Sequence, residues 1–289
     1  TVVAGVLFVR QQRRAVNPLY DLDVAKRRLF WVAAVAGIIV FGTLMGTMYI
    51  GQQYLQNVLQ YSPLSSGVAV IPMSLAMIAV AGLSAKMVVS RGSRVTLLVG
   101  YACIAAGFVA MLVLWTEDTK YWAIAMAYMF VGLGVGFAGT PASHTLTASV
   151  PVKRAGMASG TADLQRDLGG AVMQSILGVL LTLGYATAMA KAVAASPQAT
   201  QVTDATTTQL QKSFSSAEAL AEQYPQYADA IEEAARAAFL QGANWAYAAG
   251  ILAMALGAAV TLLRYPKHDG EKADLAEYAK QDAVQTPVG

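Results

Sequence analysis

Cysteine occurs once in these 289 residues and histidine twice, and charged residues make up only 13% of the chain. Each scarcity excludes something. A lone Cys103 forms no intrachain disulfide, and His144 and His268 stand too far apart in sequence to suggest a metal-binding cluster. A net charge of +3 is too small to mark a nucleic-acid partner. No glycine-rich nucleotide loop, nucleophile elbow or metal motif is present, so neither an ATPase nor a hydrolase is supported, and an enzyme is not expected. An ordinary soluble domain carries about 25% charged residues. What this chain has instead is apolar sequence, at 56%, gathered into long runs.

A spanning helix needs about 20 mostly apolar residues. Six stretches meet that length: Phe30–Tyr54, Gly67–Val89, Val95–Trp115, Tyr121–Thr145, Gly156–Ala190 and Asn244–Leu263. The fold class that follows is an all-α, polytopic membrane protein. Residues 1–9 (TVVAGVLFV) are apolar from the first position, too short for a signal peptide and without its charged start. They are expected to end a membrane helix that begins upstream, which makes the chain the C-terminal part of a longer protein. The expected division is a helix end at 1–9, an interfacial linker at 10–29, a six-helix bundle at 30–264 and a polar, mobile tail at 265–289.

Basic residues set the orientation. Arg10, Arg13, Arg14, Lys26, Arg27 and Arg28 precede the first full span, and the next connection, YSPLSS, has none. Lys86, Arg91 and Arg94 follow, then TEDTK with one lysine and two acids, then Lys153 and Arg154. The long connection 191–243 holds Lys191, Lys212 and Arg236 against six acids, and the tail has Arg264, Lys267, Lys272 and Lys280. The alternation predicts residues 10–29 and the C-terminus in the cytoplasm and 191–243 outside. Within that loop, Thr206–Gln223 and Gln226–Gln241 have helical spacing, separated at Pro225, with Ser215 and Glu218 as a capping box.

The strongest chemical signal is Asp163, Arg166 and Asp167 in GTADLQRDLGG. An ionisable group inside a membrane costs about 2.5–3.5 kcal/mol on insertion scales and is a functional candidate by default. On a helix Asp163 and Asp167 share a face that Gly170 and Gln174 continue, and Arg166 can pair with Asp163. Two nearby carboxylates can share a proton, as a proton-coupled carrier requires. The opposing reading is a helix-end cluster at the headgroups, since Leu168–Ala190 could span alone. Against that, Asp167 lies roughly 20 Å along a helix from Arg154.

A second signal is a polar stripe, Tyr49, Gln52, Gln53, Gln56 and Gln60, on one helical face. It suits the lining of a substrate cavity, and equally the outer end of a helix in the interface. The run Gly132, Gly134, Gly136 and Gly139 before Pro141 suits close helix packing or a kink. His144 reads as an interfacial histidine.

Several stretches resemble the fourteen-helix drug:proton antiporters of the major facilitator superfamily. They are RRAVNPLYDLDVAKRRLF; YLQNVLQYSPLSSGVAVIP with Tyr54, Leu55, Gln56, Ser62, Pro63 and Gly67; the basic turn GLSAKMVVSRGSR; and VPVKRAGMASG followed by DLGG. Gln60 stands where many members have glycine. The basic turn carries Gly82, Lys86, Arg91, Gly92 and Arg94 as a cytoplasmic-loop motif, with Lys86 at the site of a frequent aspartate. Within the family the chain most resembles the QacA type, and in SGTADLQRDLGGAVMQS and FLQGANWAYAAG the EfpA type of mycobacteria. The resemblance implies that 1–9 ends helix 8 and that the six spans are helices 9 to 14, in two inverted three-helix repeats. It implies a partner bundle of six N-terminal helices, and a cavity lined by helices 9, 10, 12 and 13. Asp163 and Asp167 fall where QacA-type members carry coupling acids. The expected activity is efflux of amphipathic or cationic compounds from a bacterial plasma membrane, driven by the proton gradient with no cofactor. Membrane lipids and an amphipathic small-molecule or lipid substrate are the expected partners. A lipid transporter of the same fold and a non-transporting scaffold or membrane enzyme are the alternatives.

Overall fold

The computed structural model describes residues 2–14, 18–197 and 202–284. Among them every regular element is a helix. Helix α1 (Val2–Arg14) leads to a short α2 (Leu22–Ala25), whose first turn is capped by Asp21 accepting from the N–H groups of Asp23 and Val24. Then come α3 (Arg28–Gln53), α4 (Pro63–Ala69), α5 (Ile71–Arg91), α6 (Ser93–Leu114), α7 (Tyr121–Ala148) and α8 (Ala155–Ala195). The chain continues through α9 (Asp204–Lys212), α10 (Phe214–Gln223), α11 (Ala228–Arg264) and α12 (His268–Val284). Among the described residues six helical stretches are long and apolar enough to cross a membrane: Arg28–Val58, Pro63–Arg91, Ser93–Leu114, Tyr121–Ala148, Val152–Ala195 and Pro225–Arg264. They coincide with the six apolar runs of the sequence.

Local chemistry explains the breaks. Ser62 and Pro63 form a helix start: the Ser62 hydroxyl accepts from Ser65 N–H, and Pro63 takes the first helical position, where its missing N–H costs nothing. The C-terminal end of α3 passes into a π-helical turn, Tyr54–Val58. Gly92, at φ +86° and ψ 162°, turns the chain between α5 and α6 in a conformation that only glycine adopts readily.

The helices pack as a bundle in which α3 meets α8, α7 meets both α5 and α6, and α11 meets α8 and α6. Small residues set the approach. A Cβ on Gly132 would lie 2.1 Å from the Met73 carbonyl oxygen, and one on Gly100 would lie 2.7 Å from that of Gly134. Three of the four glycines before Pro141 are therefore packing positions; Gly139 has slack, 3.6 Å from Phe41.

The connections sort to two ends, as the charge pattern predicts. At one end Arg154 reaches Asp21 and the Pro18 carbonyl, Arg94 donates to the Leu262 carbonyl, and Arg27 pairs with Asp282. At the other, Tyr54 donates to the Thr116 carbonyl and Trp115 packs edge-on against Tyr247.

Three sequence expectations are corrected. The stretch 226–241 is not a helix of its own: nothing in it breaks a helix, so it runs on as the first part of α11, after a 3-10 turn at Pro225–Tyr227. The helix expected at 206–223 is two, α9 and α10, divided at Ser213. Ser213 itself caps α10 by accepting from Ser216 N–H, so Ser215 lies inside the helix rather than capping it. The described part of the tail is not a loose polar segment: His268–Val284 is the helix α12, seated on the bundle by a buried Glu271 and by the Arg27–Asp282 pair, and residues 285–289 lie outside the described residues.

Candidate transport site

Two stripes stand out among the exposed residues of α8. Leu164, Leu168, Val172, Ile176, Val179 and Leu183 form an apolar one. Asp163, Asp167, Ala171 and Ser175 form the other, polar and small. Both carboxylates are on the open side of the helix. Arg166 pairs with Asp163 at 3.3 Å, and its guanidinium lies 5.2 Å from the centre of the Phe41 ring. The ion pair is exposed, with side chains 52% and 69% accessible, and contributes little to stability.

What holds these charges in place is the contact between α3 and α8, which is close to backbone-on-backbone. A Cβ on Gly42 would meet the Gly169 carbonyl oxygen at 2.5 Å, and one on Gly169 would meet that of Ile38 at 2.4 Å. Gln165, between the two acids in sequence, turns the opposite way. It is buried, and its amide donates to the Ala33 carbonyl at 2.9 Å and the Ala34 carbonyl at 3.2 Å. Neither Gln165 nor Phe41 stands out in the sequence as a site residue. The spacing of four through Thr161, Gln165 and Gly169 marks the packed face of α8, and it is the signal that finds Gln165.

Higher on the same side, Tyr49, Gln52, Gln53 and Gln56 join Gln174, Met45, Met48 and Asn57 around an open concavity of about 410 Å³. The structure thus brings the polar stripe of α3 together with Gln174 of α8, whose amide reaches the Met45 carbonyl at 3.5 Å. Gln60 leaves the stripe: it has φ +54° and its amide turns back to the Asn57 carbonyl. The acid pair and the amides lie on adjoining parts of one surface, roughly 10 Å apart along α8 between Asp167 and Gln174. No carboxylate lines the concavity itself.

The loop-motif residues separate by role. Lys86 and Arg91 are exposed, and Gly82 has open space around its Cα. Gly92 and Arg94 are structural. A Cβ on Gly92 would lie 2.8 Å from His268 Nδ1, and Glu271 accepts from Ser93 N–H at 2.9 Å. Tyr265 completes this node by donating to Glu271 and contacting Thr145 Oγ1 at 2.6 Å. Burial, and next the charge of Glu271, push the Tyr265 phenol above its ordinary range, which keeps it a donor. His144 is exposed on α7.

Six candidate spans packed around small residues, with a polar face left open on two of them, describe a multi-pass membrane protein. The sequence matches the Major Facilitator Superfamily over residues 4–174, and the chain belongs to that family. It is 31% identical over 262 residues to the multidrug efflux pump LfrA of Mycolicibacterium smegmatis, covering 90% of this chain and 50% of LfrA. It is also 31% identical over 179 residues to the multidrug resistance protein Stp of Mycobacterium tuberculosis, covering 62% of this chain and 33% of Stp. The quinolone resistance protein NorB of Staphylococcus aureus is 26% identical over 183 residues, covering 63% and 39%. The chain spans half or less of the length of these relatives.

Proposed function

We propose that this chain is the C-terminal half of a proton-coupled multidrug efflux transporter that exports amphipathic or cationic compounds across a bacterial plasma membrane by alternating access. It is a transporter rather than an enzyme, of the fourteen-helix QacA type and nearest in character to the EfpA type of mycobacteria. The family membership and the efflux proteins among its relatives support the class. The observation that carries the mechanism is the polar face shared by α8 and α3: two carboxylates, and next to them an amide-lined concavity without charge. In this reading that face looks into a cavity closed by the N-terminal bundle, Asp167 exchanges the coupling proton, and Asp163 with Arg166 sets the charge presented to the substrate. Phe41, Met45 and Met48 offer apolar and aromatic contact to the body of an amphiphile.

The test is pH-gradient-driven efflux in proteoliposomes containing the full-length protein. Asp167→Asn is expected to insert and fold but to lose uphill export, and Asp163→Asn to change affinity for cationic substrates. Undiminished proton-driven export by Asp167→Asn removes that residue from the mechanism and returns the triplet to a helix-end cluster. A second reading, transport of a lipid or lipid-like metabolite, draws on the uncharged, methionine-flanked concavity. Lipid movement by the same preparation, with no response to cationic drugs, would favour it.

A further inference from the structure

Opposite the end that holds α12, the helices α8 and α11 cross at Gly184 and Gly242. A Cβ on Gly184 would lie 2.6 Å from the Gly242 Cα, and one on Gly242 would lie 2.3 Å from the Leu181 carbonyl oxygen. Beyond this crossing the helices part. A groove of about 280 Å³ opens, lined on α8 by Thr187, Ala188, Lys191 and Ala192, and on α11 by Ala234, Ala237, Ala238 and Gln241, with Trp245 at its inner edge.

The floor of this groove is methyl-sized, so a ligand there would lie against two helix backbones. The rim is chemically distinct from the floor. The side chains of Lys191, Gln241 and Trp245 make no hydrogen bond or ion pair with any described residue, and no carboxylate lines the groove. Lys191 follows directly on the uncharged stretch that ends at Ala190, and Trp245, 42% exposed, heads the exposed apolar stripe Leu252, Leu256 and Leu263 of α11. On α8 the exposed Leu183 and Val179 continue below the groove in the same way. A basic side chain and a tryptophan where apolar helices leave the hydrocarbon mark the headgroup level of a bilayer.

From these positions we propose that the α8–α11 groove binds an anionic phospholipid. Its phosphate sits against Lys191 and the Gln241 amide, and its acyl chains run past Trp245 along Leu183, Val179, Leu252 and Leu256. The choice of an anionic lipid follows from charge: among the described residues the groove is lined by one ammonium, that of Lys191, and by no carboxylate. This site is separate from the polar face of α8 and α3 and does not depend on the transport reading.

The experiment is native mass spectrometry of the full-length protein released from bilayers of equal phosphatidylglycerol and phosphatidylcholine. The wild-type protein is expected to retain phosphatidylglycerol at least fivefold over phosphatidylcholine. Lys191→Gln should bring the ratio near one, and Ala237→Glu, which adds a negative charge at an exposed groove position, should do the same. Both substitutions are at exposed sites, and unchanged thermal unfolding confirms that the variants are folded. Equal retention of the two lipids by the wild type, or a preference that survives both variants, overturns the proposal. Glycerol phosphate at the same concentration should leave the lipid adduct in place; displacement of the lipid by it would mean a site for free anions and would also overturn the assignment.

Discussion

The Glu271 carboxylate accepts a hydrogen bond from the backbone N–H of Ser93 at 2.9 Å, although 178 residues separate the two in sequence. Helix α6 begins at Ser93 and is preceded by Gly92, which has no side chain with which to cap it. Buried and unpaired N–H groups at a helix start are costly, and a carboxylate there meets both the donors and the positive end of the helix dipole. Glu271 supplies that cap from α12, and Tyr265 holds its other oxygen.

Removal of that cap should therefore be felt at a distance. Glu271→Ala is expected to destabilise the protein by roughly 2 kcal/mol, the cost of leaving buried donors unsatisfied. Hydrogen exchange should rise at the first turn of α6 as well as in α12. Faster exchange in α12 alone, with α6 unchanged, would show that Glu271 merely anchors its own helix. Glu271→Gln keeps an acceptor and should fall between the two.

Arg27 is the second anchor of α12. It pairs with Asp282, donates to the Ser149 carbonyl at 2.8 Å, and lies 4.7 Å from the centre of the Tyr278 ring. A double-mutant cycle of Arg27→Ala and Asp282→Ala, read by thermal unfolding, should give a coupling of about 1–2 kcal/mol for this half-buried pair. Additive effects would mean that the two side chains act separately.

Where Gly42 of α3 meets Gly169 of α8, the contact leaves no room for an added carbon. Gly42→Ala places a methyl group against the Gly169 backbone and should cost about 1–3 kcal/mol through separation of the helices. Gly139→Ala, where the nearest atom is 3.6 Å away, should be close to neutral. Equal melting temperatures for the two variants would contradict the packing described.

The amides of the concavity differ in what else they do. Gln52 donates to the Ser66 carbonyl at 3.0 Å and ties α3 to α4, whereas the Gln53 side chain makes no hydrogen bond to a described residue. Gln53→Ala should change KM for some exported compounds more than others at constant Tm. Gln52→Ala should lower Tm as well. Uniform effects of Gln53→Ala on every compound would argue against ligand contact.

The proposed sidedness is accessible to a membrane-impermeant thiol reagent. With Cys103→Ser as background, a cysteine introduced at Gln223 should label from outside intact cells, and one at Lys280 only after permeabilisation. The reverse pattern would invert the topology.

How much of this was legible in the sequence differs from element to element. The six spans were, because about 20 apolar residues in a row leave few alternatives to a helix in a membrane. So was the sorting of the connections, since basic residues alternate between them. Helical periodicity put Asp163 and Asp167 on one face of α8 and Tyr49, Gln52, Gln53 and Gln56 on one face of α3, but it did not show that Gly170 is buried against Met45.

Periodicity, however, places a residue on a face without saying what that face meets. Gln165 and Arg166 are polar neighbours, yet one is buried against the carbonyls of α3 and the other is exposed beside Phe41. That choice belongs to the packing of two helices whose contacting residues lie more than a hundred positions apart. The same holds for α12. Its composition is that of a solvated tail, and nothing local distinguishes Glu271 from Glu277. Only the chain fold carries Glu271 to the uncapped start of α6, where a buried carboxylate is stabilised by Ser93 N–H and Tyr265. Sequence determined the helices and their ends because those are set by neighbours along the chain. Tertiary structure decided which polar groups are buried, because burial depends on what another helix brings.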